Sequence, residues 1–283
     1  MRQALRFSVL LSVCLLLSGC WDYIEVETLT FVMGAGIDTA PGQGLSLTVE
    51  TFEVQGGDTS ELKPYVAKAT GLSLFNALRN MINITGRQMF FGHSHTVIFS
   101  EEFAREGVGQ AAGFMQRDVG VRNNMWLFVV RGATAEEVFK AESPLGTSVG
   151  HYFNQVMLVQ ERNPTYIPVQ MWEFNRALSG EGIAPTMPVI ELIEFDDQII
   201  PKVEGSAVFD GDRLAGWLDG RDTRILSYLQ LRRLTGVLVT ELQFHEEVEV
   251  VAAEVSASKV KIEPQWKDEK LSMEISINVH LDL

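Results

Sequence analysis

Residues 17–20 read Leu-Ser-Gly-Cys, and a cysteine in this setting can receive a lipid. Ser18 and Gly19 are the small residues that a signal peptidase needs beside its cut, and Cys20 follows directly. A cysteine at this position is typical of bacterial lipoproteins, in which the thiol takes a diacylglyceryl group. We therefore predict cleavage between Gly19 and Cys20, and a lipid anchor with acyl chains such as palmitate on Cys20.

The residues before this motif predict a signal peptide over residues 1–19. Arg2 and Arg6 form a positive start, and residues 7–17 are apolar. A membrane-spanning helix needs about 20 apolar residues, and this run is roughly half as long. We expect the chain from Trp21 onward to lie outside the cytoplasm, tethered to a membrane through its N-terminus.

A second group of reactive side chains is His93-Ser94-His95. In a strand His93 and His95 share a face, which suits two metal ligands, but no third His or Cys accompanies them at ligand spacing. Ser94 points the other way, so a serine–histidine pair is excluded within the tripeptide. The sequence also lacks a Gly-x-Ser-x-Gly elbow and a phosphate loop. We predict no metal, no cofactor and no enzymatic activity.

Three charged residues, Arg117, Asp118 and Arg122, lie between a predicted helix and a predicted strand. An arginine can form a bidentate pair with a carboxylate of another protein, which would make the cluster part of an interface. The same residues could instead form an internal ion pair at the end of the helix. Both interpretations stay open on the sequence alone.

The elements that position these residues alternate between strands and helices in the first half. Alternation of apolar residues predicts strands over residues 28–38 and 45–49, and short apolar runs predict buried strands over 95–100 and 125–131. Helical spacing predicts a helix over residues 70–86, with Gly86 to end it, and a capping box of Thr134 and Glu137 predicts one over 135–141. Residues 55–64 are polar and predict a surface loop. On the first strand, Gly34 and Gly36 would permit another element to approach closely.

The second half becomes rich in β-strand after a stretch of helix and loop over residues 142–185. We predict a hairpin of residues 203–209 and 213–218, a helix over 221–234, and paired strands over 247–262 and 271–281 with a turn at 264–270. The last strand presents an apolar face that nothing after it covers. The pattern predicts an α+β, mixed α/β fold, with an N-terminal sheet-and-helix domain over 20–200 and a β-rich, incomplete C-terminal domain over 201–283.

Composition limits the chemistry and the partners. The chain has two cysteines, Cys14 and Cys20, and only Cys20 would remain after cleavage, which excludes disulfides. The net charge of the chain is −14, and loss of the two leader arginines would make it −16. An acidic body repels nucleic acid and anionic headgroups, so a lipid rather than electrostatics must hold it at a membrane.

Several short segments occur together along the chain: Cys-Trp-Asp at 20–22, Gly-Ala-Gly-Ile-Asp at 34–38, Arg-Gln-Met-Phe-Phe-Gly-His at 87–93, Val-Ile-Phe-Ser-Glu-Glu at 97–102, Arg117-Asp118 with Arg122, Gly-Ser-Ala-Val-Phe at 205–209 and Leu-Ala-Gly-Trp-Leu at 214–218. In their order and spacing they resemble the Ger(x)C family of spore-germination lipoproteins, the C subunits of nutrient germinant receptors. Family members generally continue for roughly a hundred further residues, through the rest of a C-terminal domain. The resemblance therefore implies a C-terminally shortened copy.

The resemblance implies a non-catalytic subunit on the outer surface of the spore inner membrane, beside multi-pass A- and B-type membrane subunits. A lipid-anchored extracytoplasmic solute-binding protein of a transporter is the alternative, and it would need two similar lobes around a polar cleft. An anchored hydrolase acting on the cell wall is a third class, which would need convergent acidic residues in a groove.

Overall fold

The computed structural model describes residues 2–8, 24–42, 44–55, 61–118, 120–160, 163–230, 236–244, 247–267 and 270–282. Residues 2–8 are helical, and Val26–Thr28 forms a short 3-10 helix. Gly19 and Cys20, the predicted cleavage and lipidation residues, lie outside the described residues. Within those residues no helix is both long and apolar enough to cross a membrane.

The strands and helices follow one another as the alternation in the sequence predicts. The strands are β1 (Leu29–Ala40), β2 (Gly44–Gln55), β3 (Glu61–Gly71), β4 (Gln88–Phe90), β5 (Thr96–Ser100), β6 (Trp126–Val130), β7 (Thr186–Phe195), β8 (Gln198–Asp210), β9 (Arg213–Leu218), β10 (Gly236–Phe244), β11 (Glu247–Lys267) and β12 (Lys270–Asp282). The helices are α1 (Leu74–Thr85), α2 (Glu101–Glu106), α3 (Gly109–Arg117), α4 (Ala135–Lys140), α5 (Val149–Leu158), α6 (Met171–Ser179) and α7 (Gly220–Leu229).

The described strands form two sheets. A nine-stranded sheet has the order β3-β2-β1-β5-β6-β7-β8-β9, with β4 paired to β1. Its central strands β1, β5, β6 and β7 are parallel, and β2, β3, β8 and β9 add antiparallel pairs at the two sides. The second sheet is antiparallel, in the order β10-β11-β12. The predicted fold class, mixed α/β followed by a β-rich part, is confirmed.

Helices cover both faces of the large sheet. Along β5, Val97 and Phe99 belong to one apolar core and Ile98 belongs to the other, as period-2 alternation requires. The first core includes buried residues of α1, α2, α3 and α6, and the second includes those of α4 and α5. The first part of the chain is therefore a three-layer α/β/α structure, in which near-continuous apolar strands are buried on both sides.

Local signals set most of the helix ends. Ser73 caps α1 by accepting a hydrogen bond from the Asn76 N–H, and Gly86 ends the helix with a φ of 68°. The predicted start at residue 70 is wrong because β3 runs to Gly71. Thr134 and Glu137 form the predicted capping box at the start of α4.

Two predicted loops are partly wrong for one physical reason. Residues 61–64 belong to β3 rather than to a loop, and Pro264 lies within β11, where it pairs with Met273. β3 is an edge strand, and β11 pairs with β10 only as far as Val255. Within the described residues each proline has a strand neighbour on one side only, and a proline is tolerated in such a strand because its missing N–H can face the unpaired side.

The predicted close approach at the glycines of β1 is confirmed. A Cβ on Gly34 would lie 2.7 Å from the ring of Phe139, and one on Gly36 would lie 2.8 Å from the Ala135 Cβ. Both neighbours belong to α4, so this helix sits directly on the glycine face of β1.

The predicted domain division at residues 200 and 201 stays a prediction, and β8 runs across it. The two sheets differ in size and in pairing, since one is mixed and nine-stranded and the other is antiparallel and three-stranded. They are therefore not the pair of similar lobes that a transporter's solute receptor would need.

Candidate functional site

The strand order of the large sheet reverses between β1 and β5, because β2 and β3 follow on one side of β1 and β5, β6 and β7 follow on the other. The chain leaves β5 into α2 and α3, which pack in the first core, and it leaves β6 into α4 and α5, which pack in the second. Such a reversal of strand order opens a crevice at the carboxyl ends of the strands, where open α/β sheets bind ligands. A cavity of about 550 Å³ lies here, lined by Asp38, Thr39, Ser100, Glu101, Glu102, Arg105, Gly132, Ala133, Thr134 and Glu137.

The deepest acid of this crevice, Asp38, caps a helix. Its side chain is 5% exposed and accepts hydrogen bonds from the backbone N–H groups of Ala135 (2.7 Å) and Glu136 (3.2 Å). These are the unpaired donors of the first turn of α4, and the helix dipole favours a negative charge there. Asp38 therefore ties the end of β1 to the start of α4.

A second buried acid, Glu50 on β2, does the same for α5. Glu50 is 1% exposed and accepts from the N–H groups of Val149 (2.6 Å) and Gly150 (2.7 Å). Burial raises the pKa of Glu50 to about 7, although both hydrogen bonds lower it. Burial also raises the pKa of Asp38, against the hydrogen bonds from Ala135 and Glu136. The two acids are structural anchors that hold both helices of one layer onto neighbouring strands.

The other acids of the crevice also have partners in the chain. Glu102 accepts from the Thr39 hydroxyl at 2.9 Å, and Glu101 pairs with the Arg105 guanidinium at 2.7 Å. Glu137 accepts from the N–H and the hydroxyl of Thr134, both at 2.8 Å. Each of these carboxylates thus accepts a hydrogen bond from, or forms an ion pair with, another residue of the chain. This arrangement offers no acid/base pair aimed at a common point, which general acid–base catalysis requires.

The histidines form an aromatic cluster near the start of β5. The His93 ring lies 5.5 Å from the Phe31 ring and 6.0 Å from the Phe90 ring, and the His95 ring lies 6.2 Å from that of His151. Burial lowers the pKa of His95, and the positive groups of His151, Arg122 and His93 lower it further. Among the described residues no three His, Cys, Asp or Glu side chains are grouped to hold a metal ion.

The predicted interface residues Arg117, Asp118 and Arg122 are all exposed. The Asp118 carboxylate accepts from the N–H of Gly120 at 2.8 Å, which forms a local turn. In the described part of the chain no ion pair joins the three residues. The internal ion pair that competed with the interface interpretation is therefore not formed there.

Arg117 lies on the rim of a groove that the sequence analysis did not find. The groove has a volume of about 580 Å³ and runs between the start of α1, the α2–α3 segment and the β8–β9 turn. Leu72 (81% exposed) and Phe75 (52% exposed) are its most accessible apolar residues. The Phe75 ring lies 6.1 Å from that of Phe114, and the Arg79 guanidinium lies over it at 5.0 Å. The groove combines exposed apolar side chains with charged ones, Arg117 and Arg213 beside Glu106 and Asp212, and this mixture suits contact with a protein better than it suits chemistry.

Comparison with protein-family models gives two matches that cover most of the chain. The model described as "Spore germination protein N-terminal domain" matches residues 22–192, and the model described as "Spore germination B3/ GerAC like, C-terminal" matches residues 204–283. The first alone covers more than half of the chain.

Curated proteins of Bacillus subtilis (strain 168) are similar over nearly the whole chain. "Spore germination protein B3" is 25% identical over 302 aligned positions, and "Spore germination protein KC" is 20% identical over 302; each alignment covers 98% of this chain and 74% of the relative. "Spore germination protein A3" is 23% identical and covers 94% and 70%. A solved structure titled "Crystal Structure of the GerBC protein" matches with a TM-score of 0.47 at 18% identity, over 92% of this chain and 73% of that one.

Proposed function

The chain belongs to the GerAC-like family of spore germination proteins and takes part in spore germination, and from this premise we propose that it is a lipid-anchored, non-catalytic subunit of a nutrient germinant receptor. The observation that carries the proposal is the position of the lipid-attachment motif. The match to the family's N-terminal domain begins at residue 22, two residues after Cys20. The leader and the cysteine would therefore tether the start of this domain to a membrane.

Energetics favour a lipid as the attachment. A single acyl chain binds a membrane only marginally, at about 0.8 kcal/mol per buried methylene, whereas two chains on one cysteine hold stably. The net charge of −14 gives no attraction to anionic headgroups. Without the lipid, the acidic body would have no strong means of staying at a membrane.

The arrangement of the crevice supports a non-catalytic role. Asp38 caps α4, Glu102 binds Thr39, and Glu101 pairs with Arg105. These acids hold the fold together and leave no pair free to move a proton on a substrate. In the proposed function a nutrient signal passes through this subunit as altered packing against its neighbours.

The proposed neighbours are the multi-pass A- and B-type receptor subunits, on the outer surface of the spore inner membrane. The groove at Leu72 and Phe75, with Arg117 on its rim, is the surface on the described body that best fits such a contact. Its exposed apolar side chains would be buried by a partner, and its arginines could pair with carboxylates of that partner.

The anchor is tested by Cys20→Ala, with Cys14→Ala as the matched control. Cys14 lies in the predicted leader and leaves with it, so its variant should be found in the membrane fraction of spores as the parent is. The Cys20 variant should be released or remain unprocessed, and germination should fail. Membrane attachment and normal germination of the Cys20 variant would contradict the proposed anchor.

Receptor membership is tested by co-purification of the tagged chain from spore membranes. Phe75→Asp should reduce recovery of the multi-pass subunits. Ile84→Asp is the control, because Ile84 is 57% exposed on the same helix, nine residues and about 180° away. Equal recovery with both variants would exclude the groove, and no recovery of multi-pass proteins even with the parent would exclude receptor membership.

A further inference from the structure

The connection between Cys20 and the described body is short. The body begins at Ile24, four residues after Cys20. An extended chain spans at most about 3.6 Å per residue, so the Cα atom of Ile24 lies within roughly 14 Å of that of Cys20. A lipid on Cys20 would therefore hold this end of the body at the bilayer surface, and the limit follows from residues 20–24 alone.

The side chains next to the predicted anchor are of a kind that lies at a membrane–water interface. Trp21 and Tyr23 come one and three residues after the anchor, and these residue types are enriched at that level of membranes. Ile24 is 45% exposed and Val26 is 60% exposed, and the 3-10 helix that begins at Val26 has no buried residue. Two exposed apolar side chains thus follow two aromatic residues within six positions of the anchor.

The acids of this segment decide which headgroups it can meet. Glu25 and Glu27 lie on either side of Val26 in the chain, and both are exposed. Val26 and Glu27 share a 3-10 helix, in which neighbouring side chains are about 120° apart, so they point in different directions. Anionic headgroups would repel the two acids and Asp22. The segment therefore suits a zwitterionic surface, which it would enter by its apolar side chains.

A cation lies beside this segment. β4 pairs in parallel with β1 and places Gln88 opposite Leu29, so Arg87 lies one residue earlier, at the level of Thr28. Arg87 is exposed, and within the described part of the chain no ion pair includes it. A guanidinium binds phosphate oxygens in a bidentate manner, and phospholipid headgroups carry a phosphate. Arg87 is therefore placed to bind a headgroup beside the apolar side chains.

The opposite end of β1 has a different character. β1 is 12 residues long, and at about 3.3 Å per residue its two ends lie roughly 36 Å apart. The crevice at its carboxyl end is lined by the acids Asp38, Glu101, Glu102 and Glu137, with Arg105 as the arginine. Phospholipid headgroups offer such an acidic lining no attraction. Of the two ends, the start of β1 is the one that fits a bilayer.

We propose that the start of the large sheet rests on a phospholipid surface, with Ile24 and Val26 in the headgroup region and Arg87 on a phosphate; this orientation rests on the proposed lipid on Cys20. The crevice at the carboxyl ends of the strands then opens away from the membrane. Because the short tether keeps this end of the body at a high effective concentration beside the bilayer, a few side chains are enough to hold the orientation.

Quenching by lipid-borne groups tests the orientation, in the lipid-modified chain reconstituted into phosphatidylcholine vesicles. Cleavage removes Cys14, and the lipid occupies the sulfur of Cys20, so an introduced cysteine is the free thiol that takes a fluorescent label. Val26→Cys is the probe. Leu72→Cys is the matched control, because Leu72 is 81% exposed and directly follows β3, at the level of the carboxyl end of β1.

A nitroxide on the lipid headgroup should quench the label at Val26→Cys about fivefold more than the label at Leu72→Cys, since only the first position enters the headgroup region. Iodide in the water should quench the two labels in the reverse order. Equal quenching by the lipid nitroxide would mean that the body has no fixed orientation and would overturn the proposal. A label at Val26→Cys that is shielded from both quenchers would assign the segment to a protein contact, which would overturn it as well.

Flotation of the vesicles separates this proposal from the proposed anchor. A chain that floats with the vesicles while both labels are quenched equally keeps its lipid anchor and loses only the orientation. A chain that stays in the soluble fraction would contradict the anchor, and the orientation with it.

Charge reversal tests the phosphate contact. In the Val26→Cys background, Arg87→Glu should lower the lipid quenching about twofold, because a carboxylate is repelled where the guanidinium bound phosphate. Arg221→Glu is the control, since Arg221 is exposed on α7 and should leave the quenching unchanged. The same quenching with Arg87→Glu as with Arg221→Glu would overturn the contact assigned to Arg87.

Discussion

The two sheets of this protein differ in what covers them. In the large sheet, β5 is buried along its whole length, and the polar groups next to it are used as helix caps. In the small sheet, every residue of β12 except the half-buried Val279 is exposed. Packing in the described part of the large sheet therefore contributes more to stability than packing along β12 does.

The largest expected difference in the free energy of unfolding comes from making the same substitution, isoleucine to alanine, in both regions. Ile98→Ala removes a side chain with 0% exposure from the second core and should cost about 4 kcal/mol of the free energy of unfolding. Ile275→Ala, at 47% exposure, should cost less than about 1 kcal/mol. Urea unfolding of both variants measures the difference. Equal losses would mean that the small sheet is as much a part of the core as β5.

The next effect is the pH dependence that Glu50 gives the large sheet. The pKa of Glu50 rises from 4.5 to about 7 on folding, so the folded state holds the proton more tightly than the unfolded chain. The stabilisation by this proton is complete below pH 4.5 and is lost as the pH rises towards 7 and above, by about 3 kcal/mol.

Glu50→Gln keeps the shape and removes the titration. The difference in unfolding free energy between this variant and the parent should therefore change between pH 4.5 and 7.5, with the variant gaining relative to the parent as the pH rises. His95 acts in the opposite direction in both proteins, because its lowered pKa costs stability as the pH falls below 6.5. A difference that is flat with pH would contradict the role assigned to the burial of Glu50.

A smaller effect tests the contact between α4 and β1. Gly36→Ala would place a Cβ 2.8 Å from that of Ala135 and should cost about 2 kcal/mol, since this packed layer has no room. Gly216→Ala on β9 is the control, because a Cβ there meets nothing within 4 Å. Thermal unfolding should separate the two variants. A neutral Gly36→Ala would show that α4 is held less closely than the geometry indicates.

The smallest effect concerns hydrogen bonds made by hydroxyls in the two regions. Thr134→Ala removes the cap of α4 and should cost about 1 kcal/mol. Ser272→Ala removes a 3.2 Å hydrogen bond to the Gln265 carbonyl on the exposed hairpin and should cost less than about 0.5 kcal/mol. Chemical unfolding of both variants is the measurement, and a larger loss for Ser272→Ala would reverse the comparison.

The sequence predicts the fold well where local signals and periodicity agree. The capping box at Thr134, the αL glycine at Gly86 and the Asp-Gly turn before β9 all lie where the pattern indicates. It fails at β3, where residues 61–64 belong to a strand. The β7–β8 turn, where Asp196 and Asp197 adopt φ values of 49° and 61°, does carry a local signal, because short polar residues tolerate positive φ.

Sequence patterns do not predict Asp38 and Glu50, the two buried acids that anchor helices to the large sheet. Glu50 alternates with Val49 and Leu47 as a residue on a solvated face would, yet a helix covers that face. Only the topology brings α5 onto β2, about a hundred residues away in the chain. The groove at Phe75 is not predictable from sequence patterns for the same reason, since its walls come from three separate segments.

The central claim is that a lipid on Cys20 holds this non-catalytic body at the membrane. Mass spectrometry of the N-terminal peptide, from protein extracted out of spore membranes, tests it most directly. The account predicts a peptide that begins at Cys20 and carries a diacylglyceryl group. An unmodified peptide, or one that still contains residues 1–19, would contradict it.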